Sequence, residues 1–403
     1  MNFKKAKFIM IILAFIFVFF FSSDFGLIDV EKTSIITAFA IDKDDQGYSV
    51  SAQIAVPEAT DTNSENQKAL LTGKGSTIGS AIKDLGDISG WYPKLSFCNL
   101  IIVGKDFESE NVIKILDYFA KTLRIQDSAL VAFTNEKAEE LLKVASPLDN
   151  ISSFAIQKVL LKASGFDSDI APVDIKTFCS MHYSRAHSSF MPLIKKIPSD
   201  ESQQNTNDKA INTSNGGQSN QQGQTKTDGK YLFNAKTTAL FKEGVKVGQL
   251  DENLTLVFNA LTKPIDGTTI SVDNVFCENG QTCNYLLQVM SSNPSINLVV
   301  DNNGPTLKIN LSLYCKINDQ NAENSDRSLS ENLPLPTPLI EKTESMLKEQ
   351  IKELVDTSVH TECDFFTLKE KLYRFNHSQY SRFKDNILQK LETQICVKVS
   401  GQI

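Results

Sequence analysis

Cys277 and Cys283 flank Glu-Asn-Gly-Gln-Thr, a turn sequence. Two thiols brought together at a hairpin tip could close a disulfide in an oxidising compartment; two free thiols are the other reading. His360 and Cys363 stand at i, i+3, a spacing that could share a helix face and bind metal, yet no second ligand pair accompanies them. The structural reading is a helix-end His beside a core Cys. Cys179 with His182 and His187 has the residue types of a thiol nucleophile and its base, but neither an oxyanion loop nor an orienting acid is visible. Cys98 and Cys315 sit among apolar strand residues and read as core. The cysteines number seven, sparsely and irregularly spaced, so cores must hold the fold. Trp91-Tyr92-Pro93 reads as a packed loop or an exposed aromatic turn for a partner. Gly244 and Gly248 answer backbone needs of a hairpin. The carboxylates form no evident catalytic pair, and no Gly-rich phosphate loop follows a strand. The expectation is a chain that is not an enzyme, with no catalytic, cofactor-binding or metal-ligating residues and no cofactor. A net charge of −7 without a basic stripe argues against nucleic acid as a partner.

The elements that would position these residues follow from periodicity. Thr33–Val56 reads as a hairpin turning at Asp44-Asp45-Gln46-Gly47. Leu70–Lys74 reads as a strand. Ser76 or Thr77 caps a helix with Ile78, Ala81, Ile82 and Leu85 inward, and Gly86 stops it. Leu95–Val103 reads as a buried strand, Val112–Ala120 as an amphipathic helix and Ser128–Phe133 as a strand. Thr134 opens a helix, and Ile151–Lys162 and Val173–Tyr183 are two more. After a short strand at Phe190–Ile194, residues 198–229 hold almost no apolar side chains, a composition that cannot repay chain entropy. This stretch is an interdomain linker or an expanded loop between the strands Phe190–Ile194 and Tyr231–Phe241. Beyond it come a hairpin turning at Lys242-Glu243-Gly244, a short helix at Leu250–Leu261 and three or four strands. In one of these Leu307, Ile309, Leu311, Leu313, Cys315 and Ile317 alternate with polar residues. Pro338 starts a long helix with Ile340, Leu347, Ile351, Leu354 and Val355 as its stripe. Helical segments in Asp364–Lys390 and a last strand at Ile395–Val399 finish the chain.

The predicted fold class is α+β and multidomain, with mixed sheets covered by helices. The predicted divisions are 1–28, a membrane anchor or signal segment; 29–197, an N-terminal α+β domain; 198–229, the insert or linker; and 230–403, a C-terminal α+β region. The last could divide into a sheet at 230–318 and helices with a final strand at 335–403. Phe8–Phe21 is wholly apolar, with Lys4, Lys5 and Lys7 before it and Asp24, Asp29 and Glu31 after, the positive-inside arrangement. Its length lies between a signal-peptide core and a spanning helix, and no small-x-small cleavage site follows. The expectation is a retained anchor with everything after residue 28 extracytoplasmic; a cleaved signal is the alternative.

Several stretches together resemble the Ger(x)C family, the C subunit of spore germinant receptors. They are SIITAFAIDKDDQGYSVSAQIAVP at 34–57, LLTGKGSTIGSAIKDLG at 70–86, SPLDNISS at 146–153, TTALFKEGVKVGQLDE at 237–252, Asp364-Phe365-Phe366, and VKVSGQI at 397–403. The resemblance implies three α+β domains on the outer face of the spore inner membrane. It also implies A and B subunits of a germinant receptor as partners, and no enzyme activity. The family's lipobox Cys is missing, since residues 22–32 contain no Cys, so lipidation there is excluded. The family's glycine-rich turn after the C-terminal Asp-Phe is replaced by Phe366-Thr367. The alternatives from other classes are an extracytoplasmic solute-binding module, which needs a cleft with convergent polar groups, and a thiol hydrolase using Cys179.

Overall fold

A computed structural model describes residues 7, 10–15, 17, 33–45, 47–55, 68–90, 92–121, 125–144, 146–147, 149, 151–162, 169–199, 231–276, 282–301, 304–321 and 333–402. The opening hairpin is β1 (Thr33–Asp44) and β2 (Gly47–Ala55), extended by β3 (Lys68–Gly75). Helix α1 (Ile78–Ser89) follows, capped by Thr77, whose hydroxyl accepts from Ser80 N–H. The helix runs past Gly86 because the residue that ends it is Gly90, whose φ of 67° suits glycine. Strand β4 (Tyr92–Lys94), a 3-10 turn at Leu95–Phe97 and β5 (Leu100–Val103) replace the single predicted strand. Next come α2 (Ile113–Lys121), β6 (Leu130–Phe133), α3 (Ala138–Lys143), α4 (Ser152–Lys162) and β7 (Val173–Asp174). Helix α5 (Ile175–Tyr183) starts two residues later than predicted, because Asp174 is extended and caps it by accepting from Thr177 N–H. Strands β8 (Ser188–Pro198), β9 (Tyr231–Lys242) and β10 (Val245–Leu250) finish the first sheet.

That sheet has the order β10-β9-β8-β6-β5-β1-β2-β3, with β4 on β1 and β7 on β6. It is mixed, as the hairpin at its start requires: β1 pairs antiparallel with β2 but parallel with β5, and β5 with β6. Both faces are covered, so β5 and β6 are apolar at every position. Phe39, Ile41, Ile101, Val103, Val131 and Phe133 point to the side of α1, α2 and α5. Ala38, Ala40, Leu100, Ile102 and Ala132 point to the side of α3 and α4. The predicted division at 198–229 separates β8 from β9, which pair antiparallel from Ser188↔Lys242 to Pro198↔Tyr231. Phe190–Ile194 and Tyr231–Phe241 are therefore neighbours in one sheet.

Helix α6 (Glu252–Thr262) leads into β11 (Thr269–Phe276), β12 (Thr282–Val300) and β13 (Pro305–Asn321). Helix α7 (Thr337–His360), α8 (Leu368–Phe375), α9 (His377–Phe383) and β14 (Glu392–Gln402) complete the chain. The second sheet, β11-β12-β13-β14, ends with a parallel pair, β13 and β14. Leu307, Ile309, Leu311, Leu313, Cys315 and Ile317 are buried in one core with Leu347, Ile351, Leu354 and Val355 of α7. Leu339, and not the predicted Ile340, is the fully buried residue of the first turn; Ile340 is half-buried. The opposite face of β13 exposes Lys308, Asn310, Ser312 and Lys316.

Candidate functional site

The sequence-selected thiols are poor nucleophiles where the fold places them. Burial first, and Asp117 second, push the Cys179 thiol up to about 11. Burial likewise lifts Cys98, Cys315 and Cys363 to about 12. A thiol held protonated in this way is inert. Burial lowers the pKa of His182, whose buried Nδ1 has no hydrogen-bond partner among the described residues. Cys363 is buried and donates to Phe241 O at 3.4 Å, while His360 is exposed, so the two do not converge. Cys283 is disulfide-bonded; Cys277, its expected partner, lies outside the described residues, as do Trp91 and most of residues 1–28. Tyr92, beside Trp91, is exposed. Gly244 and Gly248 sit at β-hairpin positions, as expected; Gly244 has φ 82°, and its carbonyl accepts from Val112 N–H at 2.9 Å.

The stretch that does gather functional groups is the connection between α7 and α8. It is bracketed by two non-glycine residues in the left-handed region, Glu362 at φ 50° and Thr367 at φ 56°. Between them Asp364 is 1% exposed. Its carboxylate accepts from Leu368 N–H at 2.7 Å and Lys369 N–H at 2.8 Å, so it satisfies the orphan donors that open α8. Burial nonetheless dominates and raises its pKa to about 6. Its own N–H donates to Ser188 Oγ on β8 at 2.8 Å, which ties the connection to the first sheet. Lys242 of β9 pairs with Glu362, and Arg185 pairs with Glu370 and lies 3.4 Å from the Tyr373 ring centroid. An aromatic column crosses the same junction. Phe258 of α6 meets Phe190 edge-on at 4.8 Å and Phe365 at 5.6 Å, and Phe365 meets Phe366 at 4.8 Å.

A cleft of about 390 Å³ opens against this column. Phe365, Phe366, Leu261 and Pro264 form apolar wall, and Thr262, Asn293, Thr367 and Lys371 add polar groups. Lys371 projects from α8, and desolvation lowers its pKa. The acid that acts on it is Asp364, whose oxygens are already engaged by two backbone N–H groups. A second cleft, about 220 Å³, lies between β9, α6, β11 and α7. There Lys236 is paired with Asp169 at 3.0 Å, so its charge is matched from within the protein. Among the described residues no three His, Cys, Asp or Glu side chains converge as a metal site.

The other motif stretches are positioned by buried polar ties that leave no open site. Gln53 of β2 donates to Leu142 O at 3.2 Å and accepts from Ser153 N–H at 2.7 Å, and Thr37 and Ser153 hydroxyls share a 2.8 Å bond. Asp42 accepts from Ala138 N–H and Glu139 N–H at 2.8 and 2.9 Å and so opens α3, in place of the predicted start at Thr134. Gly73 of β3 lies so close to α1 that an added Cβ would sit 2.3 Å from Ala81 O. The sequence pointed to Asp364-Phe365-Phe366 but gave no reason to select Lys371. On a short amphipathic helix a Lys reads as solvated, whereas here Lys371 is half-buried beside a cleft that residues of α6 and β12 also line.

Two family descriptions match the chain: "Spore germination protein N-terminal domain" over residues 27–196, and "Spore germination B3/ GerAC like, C-terminal" over residues 236–403. The solved structure described as "Crystal Structure of the GerBC protein" is 14% identical, with a TM-score of 0.46, over 90% of this chain and 96% of that one. No curated protein sequence matches.

Proposed function

The chain belongs to the Ger(x)C family of spore germination proteins, and on that premise we propose that it is a non-enzymatic, membrane-attached subunit of a nutrient germinant receptor that acts with A and B subunits. The observation that carries this reading is the family match on both sides of residues 198–229, in order and over most of the chain. The protonated state of the buried thiols speaks against the thiol-hydrolase alternative.

Attachment through the chain's own N-terminal helix is supported by the described part of that stretch. Residues 10–15 and 17 are helical, and Met10, Ile11, Leu13, Phe15 and Phe17 expose more than half of their surface, a large exposed apolar face. Among the described residues no helix is long and apolar enough to cross a membrane. With no thiol in residues 22–32 for a lipid, Phe8–Phe21 is the segment left to hold the ectodomain outside the spore inner membrane.

The experiment is affinity purification of the full chain from spore membranes in mild detergent. Recovery of A and B subunits with a chain whose intact mass retains residues 1–23 is the expected result. A mature chain beginning near Asp24 in a soluble fraction overturns the anchor. Recovery of the chain alone under conditions that preserve other receptor complexes overturns the subunit reading.

A further inference from the structure

We propose that the cleft bounded by α6, β12 and the α7–α8 connection is a binding site for a small organic carboxylate with an apolar body, and that Lys371 is its charge partner. This inference does not rest on the receptor reading. Lys371 is the charged side chain on the cleft wall, and no acid accompanies it there. Asp364 acts on this half-buried ammonium, but its oxygens are taken by two backbone N–H groups, desolvation still outweighs it, and among the described residues Lys371 forms no ion pair; a ligand carboxylate would supply one. The walls then select the rest of the molecule. Pro264 is the exposed apolar residue of the wall, and Phe365, Phe366 and Leu261, almost wholly buried, back it with ring and alkyl edges, which a phosphate or other compact polyanion cannot use. A volume of about 390 Å³ suits a body of a few carbons with its carboxylate and displaced water.

A third observation is independent of the volume and the charge. Thr367, on the same wall, holds φ 56°, a conformation that costs a β-branched residue on the order of 1 kcal/mol or more. Its hydroxyl donates to Phe366 O at 2.7 Å, which fixes the side chain on the wall. Strain held at a cleft wall is the arrangement expected where the backbone is shaped for a ligand. The neighbouring cleft is a control within the molecule, because its Lys236 already has Asp169 and needs no external anion.

The test uses the full chain in detergent, with 3-methylbutanoate, hexanoate and benzoate as probes and 3-methylbutanamide as the uncharged counterpart. Binding is read by calorimetry and by ligand-observed saturation transfer. The expected result is saturable binding of at least one acid, weakened about tenfold or more by the amide exchange and by Lys371→Met. Lys371→Met keeps the aliphatic stem and removes a desolvated charge, so its Tm should hold or rise, and loss of binding cannot then be assigned to unfolding. Lys342→Met, an exposed site on α7, should bind as the wild type does. Protection of Lys371 from reductive methylation by the bound acid gives a second readout at the residue itself. Equal binding of acid and amide, undiminished binding by Lys371→Met, or no binding of any acid overturns the proposal. Binding of a peptide bearing a C-terminal carboxylate in the absence of binding by the free acids also overturns it and assigns the cleft to a protein partner.

Discussion

Asp364→Asn separates the two forces that act on the buried carboxylate at the α7–α8 connection. The side chain is almost wholly buried, and its pKa rises from the ordinary 3.8 to about 6, so ionising it in the folded chain costs about 3 kcal/mol relative to the unfolded chain. That net cost already includes the favourable effect of the Leu368 and Lys369 N–H donors; Asn can accept from only one side of its amide, and the N–H left unpaired costs on the order of 1–3 kcal/mol. At neutral pH the two changes nearly cancel, and the variant's stability should lie within about 1 kcal/mol of wild type. The pH dependence gives the sharper result. A carboxyl with a raised folded pKa contributes stability that is fully present below about 3.8 and is lost as pH rises through about 6. Moving from about pH 7 to about pH 5 should therefore stabilise wild type relative to Asp364→Asn by about 1 kcal/mol. Comparison of the two chains in urea melts cancels the other titrating groups, and amide exchange at Leu368 and Lys369 reports the cap directly. A gap that stays constant or reverses between the two pH values would refute the assignment of burial as the dominant force on this group.

Gly104→Ala should cost about 2 kcal/mol or more in thermal melts, because the new Cβ would lie 1.9 Å from Asp42 Oδ1 and displace the carboxylate that opens α3. Thr367→Gly should stabilise by about 1 kcal/mol through relief of its positive φ, read as a rise in Tm. Leu354→Asp should cost about 4 kcal/mol or more by placing an unpaired charge in the α7 core, whereas Lys352→Glu on the exposed face should stay within about 0.5 kcal/mol. Limited proteolysis should cut first within residues 200–230 and leave fragments that elute together, since β8 and β9 pair across the cut.

Much of the fold was legible because its signals are local. The alternation of Leu307 to Ile317 gives β13 and its buried face directly, and the stripe at Leu347, Ile351, Leu354 and Val355 gives the inner face of α7. The hairpin β1–β2 follows from its turn. What was not legible depends on partners distant in the chain. Helix α3 begins where Asp42 reaches it, ninety-six residues away, and nothing near Ala138 announces that cap. Ile340 lost its place in the core to Leu339 because the stripe fixes a face only to within one residue at a helix end. Lys371 is a surface residue in every local respect, and the cleft it shares with Leu261, Pro264 and Phe365 is formed by residues of other elements. Asp364-Phe365-Phe366 was visible through resemblance to a family, whereas its tie to Ser188 on the first sheet required the fold.

The order in which strands join the first sheet bears on how the chain is made. Strand β8 takes its place beside β6 but pairs along its length with β9, which is synthesised only after residues 199–230. As the chain emerges N-terminus first, β8 is an unprotected edge for the time that stretch takes to appear, at roughly 5–20 residues per second. Pro192 and Pro198 on β8 lack the N–H that an intruding strand would pair with, and Lys195 adds an exposed charge to the strand. Folding of the two family-matched regions is thereby coupled in time: the first cannot close its sheet until the second has begun. Lengthening the interval between β8 and β9 should leave the finished protein almost unchanged in stability, by the slow growth of loop entropy with length, while extending the period in which the nascent chain is open to mispairing.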